Sequence, residues 1–425
     1  MEAGMNLNEL KVWVGKHIKV EKRIQSICVW YLLFLMCTAR KHSLQEASRF
    51  SEKNKSQFSR FLKNHSGVAV YALDQLSKKA AKRLSNSLKG LGKNALPWKI
   101  AILIDSTLQR RSTLHTQNAK RFNHGKGFVI GHQWTNIVLL IQEKTIPLPP
   151  IAFHSKKYCR ENNLKYKTEN ESVVEYINHL KLEDYIGPYN SGEVLVLADS
   201  AYDDKKIEMA IIEKGYRFII ALNKTRSVKS EKQYCNTPKS RGWISVGELF
   251  RTHCRVGWRP VRTFTNSAKR KRMDFRIRQI MGYLRHVGKV RLICSEFKKN
   301  PDGRRKYLAC NDLKAEARHI LVGYRIRWAI EIFHKQVKMH LGFQDVASKS
   351  FLAVRAHVHW VYCAYILLHS PPPGFPEHME SLPEKQHKIK DIVGNTEKAH
   401  LIQLLTQIKG PERCRIELRR AIQST

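Results

Sequence analysis

No two of the nine cysteines stand in a CxxC pair, and their odd number leaves no complete disulfide framework. That argues against a disulfide-stapled secreted scaffold and against a zinc knuckle, and for a reducing compartment. Long hydrophobic runs are also scarce. One of them, Val29 to Met36, sits in a weaker stretch from Ile24 to Cys37 and falls short of the ~20 residues that a bilayer requires. The N-terminus, with Glu2 and Asn6 to Glu9, lacks the pattern of a signal peptide, so a soluble cytoplasmic protein is expected. The third shortage is of acid: 36 Asp and Glu face 76 Lys and Arg, a formal net charge of +40. Self-repulsion of that size disfavours a compact chain unless a polyanion is nearby. A pI of about 10.0 is the electrostatic footprint of nucleic-acid binding, with an anionic membrane surface or a ribosomal role as the alternatives.

At 425 residues the chain is long enough for several folding units. Residues 1–95 read as helical. Ile24 to Met36 suits a buried helix. Ser43 can cap a short helix holding Leu44, Ala47 and Phe50, and a polar turn precedes a second short helix from Gln57 to Leu62. Gln57, Ser59 and Arg60 on that second helix fit either a helix-turn-helix contacting DNA or a plain basic bundle. A Lys-rich helix and a linker with Gly90 and Gly92 follow.

Over residues 96–222 the pattern changes to a mixed α/β sheet. Ile100 to Ile104 is a continuous apolar run ending in Asp105, and Val194 to Ala198 is another ending in Asp199, both suited to strands buried on two faces. Phe128 to Ile130 and Ile137 to Ile141 read as two further strands, residues 169–183 and Lys205 to Lys214 as helices, and Phe218 to Leu222 as a strand. Asp203 is expected to cap the helix at Lys205. Residues 223–315 read as an inserted mostly-β subdomain carrying the basic cluster Lys269 to Arg272. Residues 316–370 return to helix: one from Ala315 through His340, a second apolar one from Phe351 to Leu368, halted by Pro371 to Pro373. Residues 371–425 are polar and mostly helical.

Carboxylates at strand ends lie on the rim of a sheet, where a ligand reaches them, although a single such Asp is commonly a turn residue. On the helix after Leu321, Tyr324, Arg327, Glu331 and Lys338 fall within an arc of about 60° at ~100° per residue, opposite Ile326, Ala329, Ile330, Phe333 and Val337. One helix thus offers a carboxylate flanked by cations on one face and a packing surface on the other; an ordinary solvated face with ion pairs is the plainer alternative. Two-metal phosphodiester chemistry needs acidic oxygen ligands around Mg²⁺ or Mn²⁺ held ~3.5–4 Å apart. Asp105, Asp199 and Glu331 are the candidate catalytic and metal-binding residues; Tyr324, Arg327, Lys338 and Lys335 are candidate phosphate contacts. His334 is more simply a packing residue.

The spacing Tyr324-x2-Arg327-x3-Glu331-x6-Lys338 resembles the YREK signature of bacterial insertion-sequence transposases of the IS-four class. LIDST around Asp105 and VLADSAYDD around Asp199 resemble that class's first two acidic motifs, over roughly residues 98–345. The resemblance implies an RNase H-like catalytic domain with a DDE triad, two divalent metals per site and a helical N-terminal DNA-binding region. It further implies cut-and-paste transposition by a homodimer that joins double-stranded transposon ends to target DNA, in the bacterial cytoplasm at the nucleoid. In relatives an aromatic ring stacks on a flipped base, which makes Trp243 and Trp258 candidates for that role. A non-catalytic DNA-binding protein derived from a transposase, and an RNase H-like nuclease without strand joining, are the competing readings.

Overall fold

A computed structural model describes residues 5–37, 41–86, 91, 96–125, 127–236, 241–254, 256–264, 272–298, 305–372, 375, 381–407 and 416. Gly90, Gly92, Lys269, Arg270, Lys271 and Pro373 lie outside the described residues. The chain divides into two compact units, neither of them one continuous stretch. Met1–Ala80, Leu108–His132 and His334–Thr425 make the first; Ala81–Thr107 and Gln133–Phe333 make the second.

The strands are β1 (Ile100–Arg110), β2 (Lys120–His124), β3 (Gly127–Ile141), β4 (Lys144–Pro147), β5 (Ile151–Ala152), β6 (Val194–Ala198), β7 (Arg217–Leu222), β8 (Ser227–Ser230), β9 (Ile244–Ser245), β10 (Arg259–Phe264), β11 (Arg272–Leu284), β12 (Gly288–Phe297) and β13 (Lys306–Cys310). In the second unit they run in the order β3-β1-β6-β7-β13-β12-β11-β8-β9, with β4 and β5 paired to β3 and β10 to β11. β1, β6 and β7 are parallel, and from β7 through β13, β12, β11 and β8 to β9 the pairing is antiparallel. The parallel centre explains the unbroken apolar runs: every residue from Ile100 to Ile104 and from Val194 to Ala198 is buried, as a strand covered on both faces requires. The β-rich stretch after residue 223 builds no separate sheet, because β13 pairs directly with β7 and continues the central one.

Two expectations change here. The apolar runs at Phe128 and Ile137 belong to one long strand, β3. The polar residues between them do not interrupt it: Thr135 and Asn136 are buried with hydrogen-bond partners, and Gln133 is paired as well. The helix after Ala315 is two helices, Ala317–Ile326 and Trp328–His340, which meet at Arg327 with its backbone still right-handed (φ −50°, ψ −30°). Gly323 lets the first of these lie close to the sheet. A Cβ there would come within 3.0 Å of Ile219 Cδ1 and 3.1 Å of Trp98 Cζ3. Trp98 is itself fixed by Nε1 donating to Asp312 Oδ2 at 3.2 Å.

The first unit is helical, with Leu7–His17, Lys22–Cys37, Leu44–Phe50, Lys55–Asn64 and most of Ser66–Ser85 preceding Phe351–Leu368 and Leu382–Gln407. β2 pairs antiparallel with the start of β3 in this unit. Phe351–Leu368 is the one described helix long and apolar enough to cross a membrane, but it is 89% buried and serves as the unit's central core helix. Lys22–Cys37 and Lys55–Asn64 pack on it, with Phe61 stacked on Trp360 at 5.7 Å between centroids. His357, fully buried on that helix, has both ring nitrogens partnered: Nδ1 with Tyr31 Oη at 2.7 Å and Nε2 with the Gly342 carbonyl at 2.8 Å.

Candidate active site

Parallel register brings the first two acidic residues together. Ile104 pairs with Ala198 across β1 and β6, so Asp105 and Asp199 are the next residues on two neighbouring strands, whose backbones lie ~4.8 Å apart. Asp199 follows the carboxyl end of β6, where open α/β sheets bind ligands, whereas Asp105 does not end its strand: β1 runs on to Arg110, and only its pairing with β6 stops at Ile104. Burial changes at that point: Ile104 is fully buried, whereas Asp105 and Ser106 are half-buried. Asp105 Oδ1 accepts from the Ser106 N–H at 3.0 Å, and Asp199 Oδ1 accepts from the Ala201 N–H at 2.9 Å.

Arg327 connects the third carboxylate to this pair. Its Nη1 lies 3.6 Å from Asp105 Oδ2, and its Nη2 donates to Glu331 Oε1. Burial pushes Asp105 up to about 7; Asp199 and Glu331 add to the rise through their negative charge, while Arg327 and the Ser106 N–H oppose it. Burial works against the Arg327 charge, yet Tyr324, Asp105 and Glu331 together hold the guanidinium above its ordinary value. Tyr324 is buried, its hydroxyl pushed up first by burial and further by Asp199 and Glu331. Two cations approach its ring, Lys306 Nζ at 5.0 Å and Arg327 Cζ at 5.8 Å from the centroid.

The cluster therefore consists of three carboxylates, two cations and a phenol. All-oxygen donors of this kind suit a hard divalent cation such as Mg²⁺ or Mn²⁺. Asp105, Asp199 and Glu331 are the residues that would hold it, with Arg327 now providing the positive charge among them. Among the described residues, no group of three or more His, Cys, Asp or Glu side chains stands ready-made as a metal cage.

Other candidates take separate positions. Asp203 does not cap the helix Lys205–Glu213. Asp204 does so, accepting from the Lys206 N–H at 2.7 Å, because Asp203 is drawn inward to Arg226 Nη1 at 3.2 Å and to the Asn223 N–H at 2.8 Å. Lys335 and Lys338 lie farther along the Glu331 helix, the first exposed and the second half-buried, and His334 is buried. Trp258 carries Arg276, Arg278 and Arg305 at 4.9, 4.8 and 5.6 Å from its ring centre, and Trp243 has Lys229 Nζ at 5.0 Å. In the first unit Ser43 does cap its helix, accepting from the Glu46 N–H, and Ser59 and Arg60 are exposed. Gln57 instead closes a capping box with Asn54, which the Asn-x-x-Gln spacing already signalled.

Two neighbours escaped the sequence reading. Lys306 opens β13, and burial together with Arg327 pushes its ammonium down while Glu331 and Asp199 pull it up. Nothing in its local sequence separates it from the other lysines of a strongly basic chain; only the pairing of β13 beside β7 brings it here. Trp328, next to Arg327, is 60% exposed, unlike Trp98 and Trp134, which are fully buried. An aromatic immediately after the motif arginine is a signal that was available in the sequence.

No curated protein matches the chain. A family model described as the transposase DDE domain matches residues 99–367, which span β1, the sheet, Glu331 and the core helix Phe351–Leu368. With more than half of its length so matched, the chain belongs to the transposase DDE domain family.

Proposed function

We propose that this transposase cleaves DNA at the ends of an insertion sequence and transfers the cut strands to target DNA, with Asp105, Asp199 and Glu331 as its catalytic carboxylates. One observation carries the reading. The Ile104–Ala198 register makes the two aspartates neighbours on the sheet rim, and Arg327 bridges from Asp105 to Glu331. Transposases of this family generally use divalent metal ions; Mg²⁺ or Mn²⁺, two per site, is the proposed complement. Bound there, such ions lower the pKa of a water nucleophile and neutralise charge on the attacking and leaving oxygens.

The protein's own groups have distinct tasks. Asp105, on a central strand and hemmed in by two like charges, is the carboxylate with most to gain from a shared cation. Asp199 and Glu331 flank it. Arg327 and Lys306 are the proposed partners of the non-bridging phosphate oxygens, and Lys335 and Lys338 are separate candidate phosphate contacts. Tyr324 supplies a hydroxyl beside Arg327. The exposed Trp328 joins Trp243 and Trp258 as a candidate for stacking on an unpaired base, and the helical region with Ser59 and Arg60 as a candidate DNA contact. The expected partner is double-stranded DNA, bound by a homodimer when two ends are held together.

The test is cleavage of a plasmid carrying the element's ends, with Mg²⁺ or Mn²⁺. Asp105→Asn, Asp199→Asn and Glu331→Gln are each expected to lower cleavage by about 10³-fold, the equivalent of several kcal/mol of lost charge stabilisation, while retaining DNA binding in a gel shift. Metal-dependent cutting that survives in Asp199→Asn removes the assignment. A non-catalytic DNA-binding role is the second reading, favoured by the absence of a ready-made metal cage among the described residues. Gel-shift activity without cleavage at any divalent metal concentration selects it. Cleavage without joining of pre-cut ends selects a simple nuclease.

A further inference from the structure

We propose that Glu169 and Tyr202 are positioning residues that hold the Asp199 turn against the Asp105 strand; this rests on the carboxylate assignment above. Glu169 is the first residue of the helix Glu169–His179, whose N-terminus is already capped by Thr168 and Glu171, so its own carboxylate serves elsewhere. Glu169 Oε1 accepts from Tyr202 Oη at 2.8 Å and from Thr135 Oγ1 at 2.8 Å, and Oε2 accepts from Gln133 Nε2 at 2.6 Å. Three donors, two from β3 and one from the Asp199 turn, occupy most of what a carboxylate can accept.

Tyr202 is the link. It lies three residues after Asp199 in the same short turn, 1% exposed, and its hydroxyl bonds to the Ser106 side chain as well as to Glu169. A hydroxyl chain thus runs from Ser106, the residue beside Asp105, through Tyr202 to Glu169. Burial and the neighbouring Glu169 charge keep the phenol protonated, which it must be to donate. The other side of the turn is moored separately: the Asn223 N–H donates to Asp203 Oδ2 at 2.8 Å and Asn223 Nδ2 donates to the Ser200 carbonyl at 2.9 Å. A ligand set must be held within roughly 0.5 Å of its working geometry by groups that are themselves locked. The Glu169–Tyr202 link does this between the first two aspartates, just past Ile104 and Ala198, where β6 ends and its pairing with β1 stops while β1 runs on to Arg110.

The experiment uses the full chain and measures Mn²⁺ binding by calorimetry, the Mn²⁺ dependence of plasmid cleavage, DNA affinity and thermal midpoint. Tyr202→Phe and Glu169→Gln are expected to weaken Mn²⁺ binding about 10-fold or more and to shift the cleavage curve to higher Mn²⁺ by the same factor, with DNA affinity unchanged. The double variant should be no worse than the worse single, because both cut one chain. Thr135→Val, which leaves the Tyr202 link intact, should lower thermal stability while keeping Mn²⁺ affinity within about twofold. Wild-type Mn²⁺ binding in Tyr202→Phe overturns the inference, whatever its thermal midpoint, and Tyr202→Phe decides the matter if Glu169→Gln fails to fold. Asp105→Asn separates the two levels. If it loses Mn²⁺ binding and Tyr202→Phe does not, only the positioning role fails; if neither changes Mn²⁺ binding, the carboxylate assignment itself fails.

Discussion

In the helical unit His357, His359 and His132 are buried as neutral rings. Burial depresses them to about 3, 4 and 4, and each ring nitrogen that bonds a carbonyl finds it within the same unit, at Gly342, Arg355 and Gln117. In the sheet unit burial acts on carboxylates instead. Asp105 and Glu208 are both pushed up to about 7, with Arg327 and Arg226 as their cationic neighbours. Charge is thus avoided at these three histidines and retained in the sheet unit, at the half-buried Asp105 and the fully buried Glu208, where each carboxylate has an arginine beside it. The difference separates groups that hold a fold from groups placed for chemistry.

The largest effect that sharpens this contrast is on activity against stability. Asp105→Asn should lower cleavage about 10³-fold yet raise thermal stability, by about 1–2 kcal/mol, because it removes a buried charge repelled by Asp199 and Glu331. A loss of stability in that variant would mean that Arg327 already compensates the cluster fully. The matching change in the helical unit is His357→Ala. It orphans Tyr31 Oη and the Gly342 carbonyl in a closed core and should cost about 3 kcal/mol, read as lost hydrogen-exchange protection along Phe351–Leu368.

Acid provides the third test. The three histidines stay neutral in the folded helical unit while the unfolded chain protonates near 6.5, so the unfolded state binds more protons below that value. Their contribution is whole above pH 6.5 and is lost as pH falls from there toward about 4, which hydrogen exchange in the helical segments would register. The sheet unit has the opposite tendency between the ordinary carboxylate range and about 7, because protonating Glu208 and Asp105 relieves their burial. Equal acid sensitivity in both units would break the comparison. The smallest effect is Gly323→Ala, where the new methyl meets Ile219 and Trp98 at 3.0–3.1 Å; a loss of about 1 kcal/mol and a modest fall in cleavage are expected, since the Tyr324–Arg327 segment is displaced from the sheet.

Much of the architecture was legible from pattern. The apolar runs ending in Asp105 and Asp199 are strands, and Phe351–Leu368 is a helix with the expected bounds, because continuous burial and helical length leave marks on a sequence. The cap falls on Asp204 rather than Asp203: adjacent aspartates offer the same capping chemistry, and the distant Arg226 draws Asp203 inward. Gln133, Thr135 and Asn136 look like a break between two strands; the partner of Gln133 and Thr135, Glu169, comes from elsewhere in the chain, while Asn136 bonds to the nearby Trp134 carbonyl.

Local chemistry thus determined which residues could act: two acids after buried apolar runs, and a helical stretch that lines up Tyr324, Arg327 and Glu331. Which residues actually meet was decided by tertiary structure. The Ile104–Ala198 register, the pairing of β13 with β7 that brings in Lys306, and the Glu169–Tyr202–Ser106 chain all join segments far apart in sequence. Periodicity reports the face a residue turns to its own element, whereas hydrogen bonds between distant strands depend on a register that no single segment encodes.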